Sequence, residues 1–493
     1  MRFLRLIALT GLTGMLCARA ERSERNFWPI RVEQLAPSGA GGRRVEAWQG
    51  GGPLFFRTTL DDGGSAGGFR PFYVWRKNSA GLTTETDFLY PLLTHRESET
   101  DRRWSLFSLV NLYGTKVAAV PGERHFEIWP FYFSRETGDP ATSYHAVFPL
   151  HGTLLDRFGY DRISWTLFPL YGRFERAGIV KTAVPWPFVR IIEGDGNRGF
   201  ALWPLFGWQA KAGVYRDQFY LWPLIYRNTS ELKAPVPTVK LGVLPFYTSE
   251  RRAGARSETF LWPFFGYTHR TTPDRYDETR WLWPFLVQGR GDVRRVNRWG
   301  PLYTHSNIKG DDKRWVLWPL WRQEKWAETG LAQTKTQLLY FFYWSLEQRS
   351  AARPALPPAR KTHVWPFFSY WNNGAGRRQL QVLSPFEVFF QYNDPVRLAY
   401  TPLAALYRYD QRTPDDVRSS FLWGAITWRR SPGHREFHLG PLLRLSSAPD
   451  RRRITLAGGL IGLRRGPDTR SWRWFLFDFS RKMDKTTLTA ASP

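Results

Sequence analysis

Cysteine is nearly absent from the 493-residue chain, whose only copy is Cys17. Cys17 falls at the end of a signal-like N-terminal segment, and removal of that segment leaves a mature chain without cysteine. Such a chain has no disulfides, thiolate metal sites or cysteine nucleophile. Long apolar runs are also missing. Because no later run reaches about 18 apolar residues, the sequence excludes a membrane-spanning helix.

The first twenty residues have the three parts of a secretory signal peptide. Two arginines, Arg2 and Arg5, precede an apolar stretch at 6–16, and the small-residue site 18–20 follows. We therefore predict a signal peptide over 1–20, cleavage before Glu21 and an exported protein. A lipoprotein, with Cys17 as its lipidated first residue, is the less favoured alternative because Leu16 is bulky at the preceding position.

Negative charge is scarce relative to positive charge, which gives a formal net charge of +27. Such an excess is typical of proteins that lie next to nucleic acid, an anionic membrane surface or an acidic polysaccharide. The basic residues are spread over the whole chain, without the compact basic patch that nucleic-acid binding requires. We therefore expect outer-membrane lipid, with anionic solutes or glycans as further partners, and no nucleic acid.

Aromatic residues are abundant, with 25 Trp, and many of them belong to a repeat. Its centre is an aromatic residue followed by Pro, flanked by apolar residues on both sides, and it recurs about every 19 residues from Pro71 onward, on the order of 20 times. Clear copies are Ile128-Trp129-Pro130-Phe131, Leu167-Phe168-Pro169-Leu170, Leu202-Trp203-Pro204-Leu205, Leu221-Trp222-Pro223-Leu224, Leu261-Trp262-Pro263-Phe264, Leu282-Trp283-Pro284-Phe285, Leu317-Trp318-Pro319-Leu320 and Val364-Trp365-Pro366-Phe367.

Each copy lies between turn signals rich in Gly, Pro, Asn and Asp, which leaves intervals of about 14 to 17 residues. Apolar residues in these intervals alternate with a period of two, and Pro in the middle would break a helix, so the pattern predicts strands. In 275–290, Trp281, Trp283 and Phe285 then share one face, while Arg280 and Leu282 share the other. A mid-strand Pro removes one ladder hydrogen bond, and the sequence alone does not explain it.

About 20 long strands behind a signal peptide predict an all-β protein, a large antiparallel up-and-down β-barrel of the outer membrane. A soluble β-repeat protein, propeller-like or a stacked array, in the periplasm or at the cell surface, is the alternative, because Trp near mid-strand also suits a two-sided core. The predicted segments are a signal peptide at 1–20, an N-terminal extension with the first strand at 21–67, a repeat β-domain at 68–480 and a polar tail at 481–493.

The last four intervals of the chain and the repeat itself resemble known groups of bacterial proteins. Intervals beginning at Ser419, Glu436, Arg453 and Ser471 read as four consecutive strands, and the last ends in Phe475, Phe477 and Phe479. This resembles the aromatic-ended last strand of bacterial outer-membrane barrels. The repeated Leu-Trp-Pro-Leu-Phe pattern resembles an uncharacterised group of exported bacterial repeat proteins, and this resemblance implies no known activity.

Motifs of catalysis are missing from the sequence. It has no His-Glu-x-x-His zinc helix, Gly-x-Ser-x-Gly elbow, phosphate-binding loop or dinucleotide fingerprint. His434 and His438 share a strand face and read as solvated residues near a turn, and 193–197 reads as a turn rather than a calcium loop. We therefore expect no enzyme, no catalytic residues, no metal and no cofactor.

Four arginines stand at polar strand ends and are the anion-facing candidates: Arg280, Arg294, Arg298 and Arg314. In a barrel lumen they would attract anions, and near the rim they would pair with lipid phosphates. The sequence thus predicts a non-enzymatic outer-membrane barrel, either an anion-favouring pore or a structural envelope component. The alternative is a soluble exported β-repeat protein that binds a glycan or a protein partner.

Overall fold

The computed structural model describes residues 22–38, 42–116, 122–390, 393–466 and 471–477. The predicted signal peptide, Cys17 and the predicted tail at 481–493 lie outside them. Within the described residues the chain is all-β, as predicted, and its strands pair antiparallel. Contacts divide the chain into unit 1, Met1–Asp61 with Ala405–Pro493, and unit 2, Asp62–Ala404. The predicted segment boundaries at 67 and 480 do not coincide with this division.

Unit 1 contains two groups of strands, one from each end of the chain. The first is β1 (Ser23–Phe27), β2 (Arg31–Pro37), β3 (Arg43–Gly50) and β4 (Phe55–Thr59). The second is β38 (Tyr407–Thr413), β39 (Asp416–Phe421), β40 (Ile426–Ser431), β41 (His434–Leu439), β42 (Leu443–Ala448), β43 (Arg451–Leu456), β44 (Ile461–Arg465) and β45 (Arg473–Leu476), with short 3-10 turns at Leu422–Gly424 and Ala457–Gly459. The extension at 21–67 therefore carries four complete strands where one was expected.

Unit 2 is a long meander followed by two short helices. Its strands are β5 (Ser65–Phe69), β6 (Tyr73–Lys77), β7 (Thr83–Phe88), β8 (Leu93–Glu97), β9 (Asp101–Leu106), β10 (Val110–Thr115), β11 (Arg124–Ile128), β12 (Tyr132–Glu136), β13 (Tyr144–Val147), β14 (His151–Arg157), β15 (Tyr160–Thr166), β16 (Tyr171–Arg176), β17 (Ile179–Ala183), β18 (Val189–Gly194), β19 (Asn197–Leu202), β20 (Phe206–Lys211), β21 (Tyr215–Tyr220) and β22 (Ile225–Ser230). They continue as β23 (Thr238–Val243), β24 (Tyr247–Arg252), β25 (Ala255–Phe260), β26 (Phe265–Arg270), β27 (Tyr276–Leu282), β28 (Leu286–Gly291), β29 (Arg294–Trp299), β30 (Tyr303–Ile308), β31 (Asp311–Val316), β32 (Trp321–Glu328), β33 (Leu331–Leu338), β34 (Tyr343–Ser350), β35 (Ala359–Val364), β36 (Phe368–Asn372) and β37 (Arg378–Val382). The helices are α1 (Asp394–Ala399) and α2 (Thr401–Ala404).

The predicted strand length was wrong, because the aromatic-Pro centres are turns. In 275–290, β27 ends at Leu282, the chain reverses over 283–285, and β28 begins at Leu286, so that Arg280 faces Val287 across the hairpin. Pro cannot donate to the ladder and ends the strand there. The described residues accordingly hold 45 strands of four to eight residues rather than about 20 long ones. The alternation of apolar residues keeps its period of two on both sides of a turn. It therefore does not show that the chain reverses its direction there.

Successive strands of unit 2 pair with each other, and no pairing joins β5 to β37 in the part of the chain that the structure describes. In a meander, every second turn lies at the same end of the strands. The aromatic-Pro turns therefore form one edge of the unit 2 sheet, here called the aromatic-Pro edge, which includes turns 167–170, 203–205, 221–224, 261–264, 283–285, 317–320 and 365–367. The opposite polar edge includes the two-residue turns 177–178, 195–196, 253–254, 292–293, 309–310 and 329–330.

Among the residues that the structure describes, buried apolar side chains are few and scattered over many strands. The main cluster in unit 2 brings together Phe133, Tyr144, Ala146, Leu154 and Trp165 from β12 to β15. None of the helices in the described ranges is long and apolar enough to cross a membrane. Most of the cohesion of unit 2 therefore comes from the strand ladder and from contacts between neighbouring strands.

Candidate functional site

An exposed apolar row follows the aromatic-Pro edge of unit 2. It consists of the strand residues next to the turns, which pair across the hairpins and point to one face of the sheet. From β19 to β37 this rim row is Leu202, Phe206, Tyr220, Ile225, Val243, Tyr247, Phe260, Phe265, Leu282, Leu286, Trp299, Tyr303, Val316, Trp321, Leu338, Tyr343, Val364, Phe368 and Val382. All are apolar or aromatic, and more than half are exposed.

The opposite face of the same strands buries both polar and apolar side chains, and Ala201 and Val287 are among the apolar ones. One residue further from the turns, the side chains point to the other face, and here Thr259, Gln337, His363 and Gln381 are buried together with Trp344. A half-buried antiparallel sheet in water shows the reverse arrangement, with apolar residues inside and polar residues outside. Next to its aromatic-Pro edge, the sheet of unit 2 therefore combines an exposed apolar row with several polar side chains buried on the other face.

Four leucines at the aromatic-Pro edge adopt a backbone conformation that disfavours leucine. Leu167, Leu221, Leu261 and Leu317 open their turns with φ between 45° and 48°. This left-handed region suits Gly or Asn and costs other residues about 1 kcal/mol or more. The same side chains are 51–54% exposed, so burial within the protein does not offset that cost. Neither local geometry nor packing accounts for leucine at these positions.

Turn 221–224 leaves none of its backbone N–H groups without an acceptor. Leu221 donates to the carbonyl of Leu205 at 2.6 Å, Trp222 to Pro204 at 2.6 Å, and Leu224 to Leu221 at 2.7 Å. Pro223 has no N–H to satisfy. The bond before this proline is cis, as at the other Trp-Pro turns. Turns 167–170 and 317–320 repeat this pattern. The mid-interval Pro thus removes the fourth N–H of the turn, and the other three are hydrogen-bonded.

The polar edge uses ordinary hairpin chemistry. Turns 177–178, 195–196, 309–310 and 329–330 each place Gly at their second position with positive φ. Two-residue hairpins of this kind favour Gly and small polar residues because both central residues have φ above zero. The first positions of these turns, among them Ala177, Lys309 and Thr329, also have positive φ. Left-handed backbone therefore occurs at both edges of unit 2, and the aromatic-Pro edge differs in placing large exposed leucines in it.

Unit 1 shows a similar combination of apolar and polar faces on its C-terminal strands, β39 to β45. Three cross-strand rows share its outer face. The row next to the apolar turns is Phe421, Ile426, Leu439, Leu443, Leu456, Ile461 and Leu476; the middle row is Ser419, Trp428, Phe437, Leu445, Ile454, Leu463 and Trp474; the far row is Val417, Arg430, Arg435, Ser447, Arg452 and Arg465 with Trp472 beyond it. The outer face is thus an apolar band bordered by arginines.

The inner face of these strands carries a buried charged cluster, on which β1 packs. The Glu24 carboxylate accepts from Arg418 Nε at 2.8 Å, and the Glu24 N–H donates to Glu436 Oε2 at 2.8 Å. Glu436 also accepts from Arg444 Nη2 at 2.6 Å, with the His438 ring 3.7 Å away. Glu24, Glu436 and His438 are fully buried. The N-terminal strand is therefore held to the C-terminal strands by a buried ion pair and by hydrogen bonds, including one from Asn26 Nδ2 to the Gly424 carbonyl at 2.7 Å.

Electrostatics keep both carboxylates of this cluster ionised. Burial raises the pKa of Glu24, but the Arg418 guanidinium, together with His438 and Thr427, lowers it by more, so the net shift is downward. Burial likewise raises the pKa of Glu436, and the neighbouring His434, His438 and Arg444 side chains bring it well below the usual range. The expectation that the two histidines are solvated was wrong, since His438 is buried and both contact Glu436. Their four-residue spacing indicated a shared face but not which face is covered.

Two of the predicted anion-facing arginines are engaged by their own neighbours. Arg280 Nη2 donates to the Tyr267 carbonyl at 3.1 Å and to Ser257 Oγ at 3.2 Å. Arg280 and Arg294 both approach the Glu278 carboxylate, at 3.8 Å and 3.7 Å. These contacts join neighbouring strands, and Arg280 lies within β27 near the aromatic-Pro edge rather than at the predicted polar strand end.

The other two predicted arginines do not join them in one site. Arg298 Nη1 donates to the Pro284 carbonyl at 3.3 Å, and Arg314 Nε donates to Asp312 Oδ1 at 3.0 Å. Arg298 shares a sheet face with Arg280, whereas the register places Arg314 on the other face. The structure therefore does not gather the four into one cluster, and their anion-facing role stays a prediction.

No three His, Cys, Asp or Glu side chains come together in a metal-binding arrangement within the described ranges. No protein-family model matches the chain, and a search of curated proteins finds no relative. The candidate site therefore rests on the molecule itself: the aromatic-Pro edge with the rim row in unit 2, and the apolar band with its arginine row in unit 1.

Proposed function

We propose that the protein is a non-enzymatic envelope component that lies on lipid, with the aromatic-Pro edge and rim row of unit 2 immersed in the bilayer surface. The observation that carries the proposal is the set of exposed leucines in left-handed turns. Lipid contact supplies the apolar surroundings that the protein itself does not give them. The outer membrane is the proposed location, in line with the predicted export.

The exposed apolar row and the polar side chains buried behind it support the same proposal. Apolar residues outside and polar residues inside are the pattern of β-proteins that face lipid. Trp at the boundary of such an edge suits the headgroup level, where one side of the ring is apolar and the other is wet.

The complete hydrogen bonding of the turn N–H groups supports immersion of the aromatic-Pro edge itself. An unsatisfied backbone group costs several kcal/mol in hydrocarbon, so backbone enters lipid only where its polar groups are paired. In turn 221–224 every N–H has an acceptor or is replaced by Pro. A turn that remained in water would not need this.

Strand length favours immersion of the edge over strands that span the membrane. A strand that crosses the hydrocarbon core needs about 9–11 residues, whereas the described strands have four to eight. The aromatic-Pro turns and the rim row together extend roughly 5–10 Å along the strand direction. This is the depth to which an interfacial protein enters the bilayer. The closed barrel of about 20 strands, with a pore and an anion-favouring lumen, therefore has less support than a lipid-lying sheet. A soluble glycan-binding repeat leaves the exposed leucines without an apolar partner, and a protein-binding repeat needs a partner that covers the whole aromatic-Pro edge.

Vesicle flotation tests this function. The purified mature protein should rise with phosphatidylcholine vesicles in a density gradient and stay bound in high salt, because apolar contacts are not screened. In cells, it should stay with outer membranes after salt and carbonate washing. A protein that remains at the bottom of the gradient and is soluble without detergent would support the soluble repeat instead. Anion-selective currents in planar bilayers would support the pore.

A further inference from the structure

The arginine row of unit 1 contains like charges placed directly opposite each other. Arg430 pairs with Arg435 across one hairpin, and Arg452 pairs with Arg465 across another. Opposed like charges destabilise a sheet unless an anion lies between or beside them. Neither Arg435 nor Arg452 has a carboxylate or hydrogen-bond partner among the described residues, and both are exposed. This row therefore carries concentrated positive charge that the described part of the protein does not neutralise.

A groove of about 490 Å³ connects this row to the apolar band. Ser447 lies between Arg435 and Arg452 in the row, so the backbones of the two arginines stand two strands apart, roughly 10 Å, within reach of one phosphate for their long side chains. The apolar wall consists of Trp428, Phe437 and Ile454. Trp428 is 63% exposed, although it lies at the middle of its strand. The groove thus has arginines that attract anions at one end and an exposed apolar surface next to them.

We infer that this groove binds one anionic phospholipid, with its phosphate held by Arg435 and Arg452 and its acyl chain lying along the apolar band. This rests on the proposed attachment to lipid and adds to it a specific headgroup site. Arginine donates two parallel hydrogen bonds to phosphate oxygens, which suits it better than lysine to such a site.

Distances along the strands agree with a bilayer. The arginine row is four residues from the row next to the apolar turns, roughly 13 Å. Half of a hydrocarbon core is about 15 Å thick. If the apolar turns reach toward the bilayer centre, the arginine row stands at the level of the phosphates. A soluble anion would need the arginines but not the adjoining apolar band, which is why we assign lipid.

The test compares two charge-matched double variants of the full mature chain. Arg435→Gln with Arg452→Gln removes the proposed headgroup site. Arg464→Gln with Arg473→Gln removes two positive charges that face each other on the opposite face of neighbouring strands. Binding is measured by flotation with phosphatidylcholine vesicles and with vesicles that also contain phosphatidylglycerol, at constant salt, and circular dichroism monitors folding.

Wild-type protein and the Arg464/Arg473 variant should bind phosphatidylglycerol vesicles more tightly than phosphatidylcholine vesicles. The Arg435/Arg452 variant should lose this preference, by about 30-fold for two arginines, and should still bind phosphatidylcholine. Equal preference in both variants would overturn the site while leaving lipid attachment intact. No binding of wild type to either vesicle would overturn the proposed function. Arginine-dependent retention on an acidic polysaccharide such as alginate, with no vesicle preference, would assign the groove to a glycan and overturn the lipid assignment.

Discussion

Arg418 Nε donates to the Glu24 carboxylate at 2.8 Å across 394 residues of sequence. Glu24 is fully buried and the Arg418 side chain is nearly so. This pair joins β1, near the N-terminus, to β39, near the C-terminus, in the interior of unit 1. Two ions out of water are stable only as a pair, since either alone would keep the full desolvation cost.

Breaking this pair should destabilise unit 1. Glu24→Gln should lower the free energy of unfolding by about 3–5 kcal/mol, because it leaves Arg418 buried without its counter-ion. Glu24→Leu combined with Arg418→Met should recover most of the loss. Chemical denaturation measures both, with Glu193→Gln as an exposed control. A single variant that is as stable as wild type would show that the pair does not hold β1 in place.

Buried His363 gives unit 2 a pH dependence. Burial, with Lys361 nearby, lowers the pKa of His363 to about 3. An unfolded chain takes up a proton near the ordinary value of about 6.5, whereas the folded chain does not, so stability is complete above that pH and falls as the pH drops toward 3. From pH 7 to pH 5 the loss should be about 2 kcal/mol.

His363→Gln should remove that part of the pH dependence, while His145→Gln at the surface should keep it. Denaturation curves at the two pH values give the slopes. A wild-type slope that His363→Gln leaves unchanged would mean that His363 is not buried in the neutral form.

Tryptophans of unit 2 should separate into two classes. Trp165 is 5% exposed in the cluster around Phe133, so Trp165→Ala should cost about 3–5 kcal/mol in water. Trp262 is 48% exposed at the aromatic-Pro edge, so Trp262→Ala should cost about 1 kcal/mol in water and weaken binding to vesicles. Denaturation and flotation of both variants test this. The account fails here if Trp262→Ala is as destabilising as Trp165→Ala and leaves flotation unchanged.

Leucine turns allow a matched comparison between the two edges. Leu221 and Leu317 at the aromatic-Pro edge, and Ala177 and Thr329 at the polar edge, all have φ of 48°. Glycine at either pair relieves the same backbone strain and adds the same unfolded-state entropy, so each double variant should stay within about 1 kcal/mol of wild type.

Only Leu221→Gly with Leu317→Gly should weaken vesicle binding, by about 30-fold, since each leucine loses on the order of 1 kcal/mol of transfer to lipid. The control is the double variant Ala177→Gly with Thr329→Gly. Equal vesicle affinity of both double variants would mean that the leucines do not contact lipid.

Sequence patterns identified strands and the repeat, but not where each strand ends. Period-two alternation runs through 275–290 as if it were one strand, because the rim row on either side of turn 283–285 is apolar. The Pro itself was the available signal, since it is excluded from ladder interiors and tolerated in turns. If each Pro is taken as a turn residue, the spacing of the prolines predicts hairpins.

The buried ion pair could not be predicted. Glu24 and Arg418 look like two of many charged residues on alternating strands, and nothing local indicates a partner 394 residues away. The apolar outer face of unit 1 was visible in part, as the apolar alternation from Trp428 to Trp474. Tertiary packing determines which face of the strands is covered, and the alternation of residues in the sequence carries no information about that packing.

Strand β32 offers the most direct measurement of whether the aromatic-Pro edge enters lipid. Leu320 precedes it at the aromatic-Pro edge and Thr329 follows it at the polar edge, roughly 27 Å away. In a chain with Cys17→Ser, a single cysteine at either position can carry the fluorophore NBD. On addition of phosphatidylcholine vesicles, the label at 320 should shift to the blue and be quenched by lipids spin-labelled on the acyl chain, while the label at 329 should respond to neither. Equal responses at 320 and 329, or no response at 320, would contradict the account.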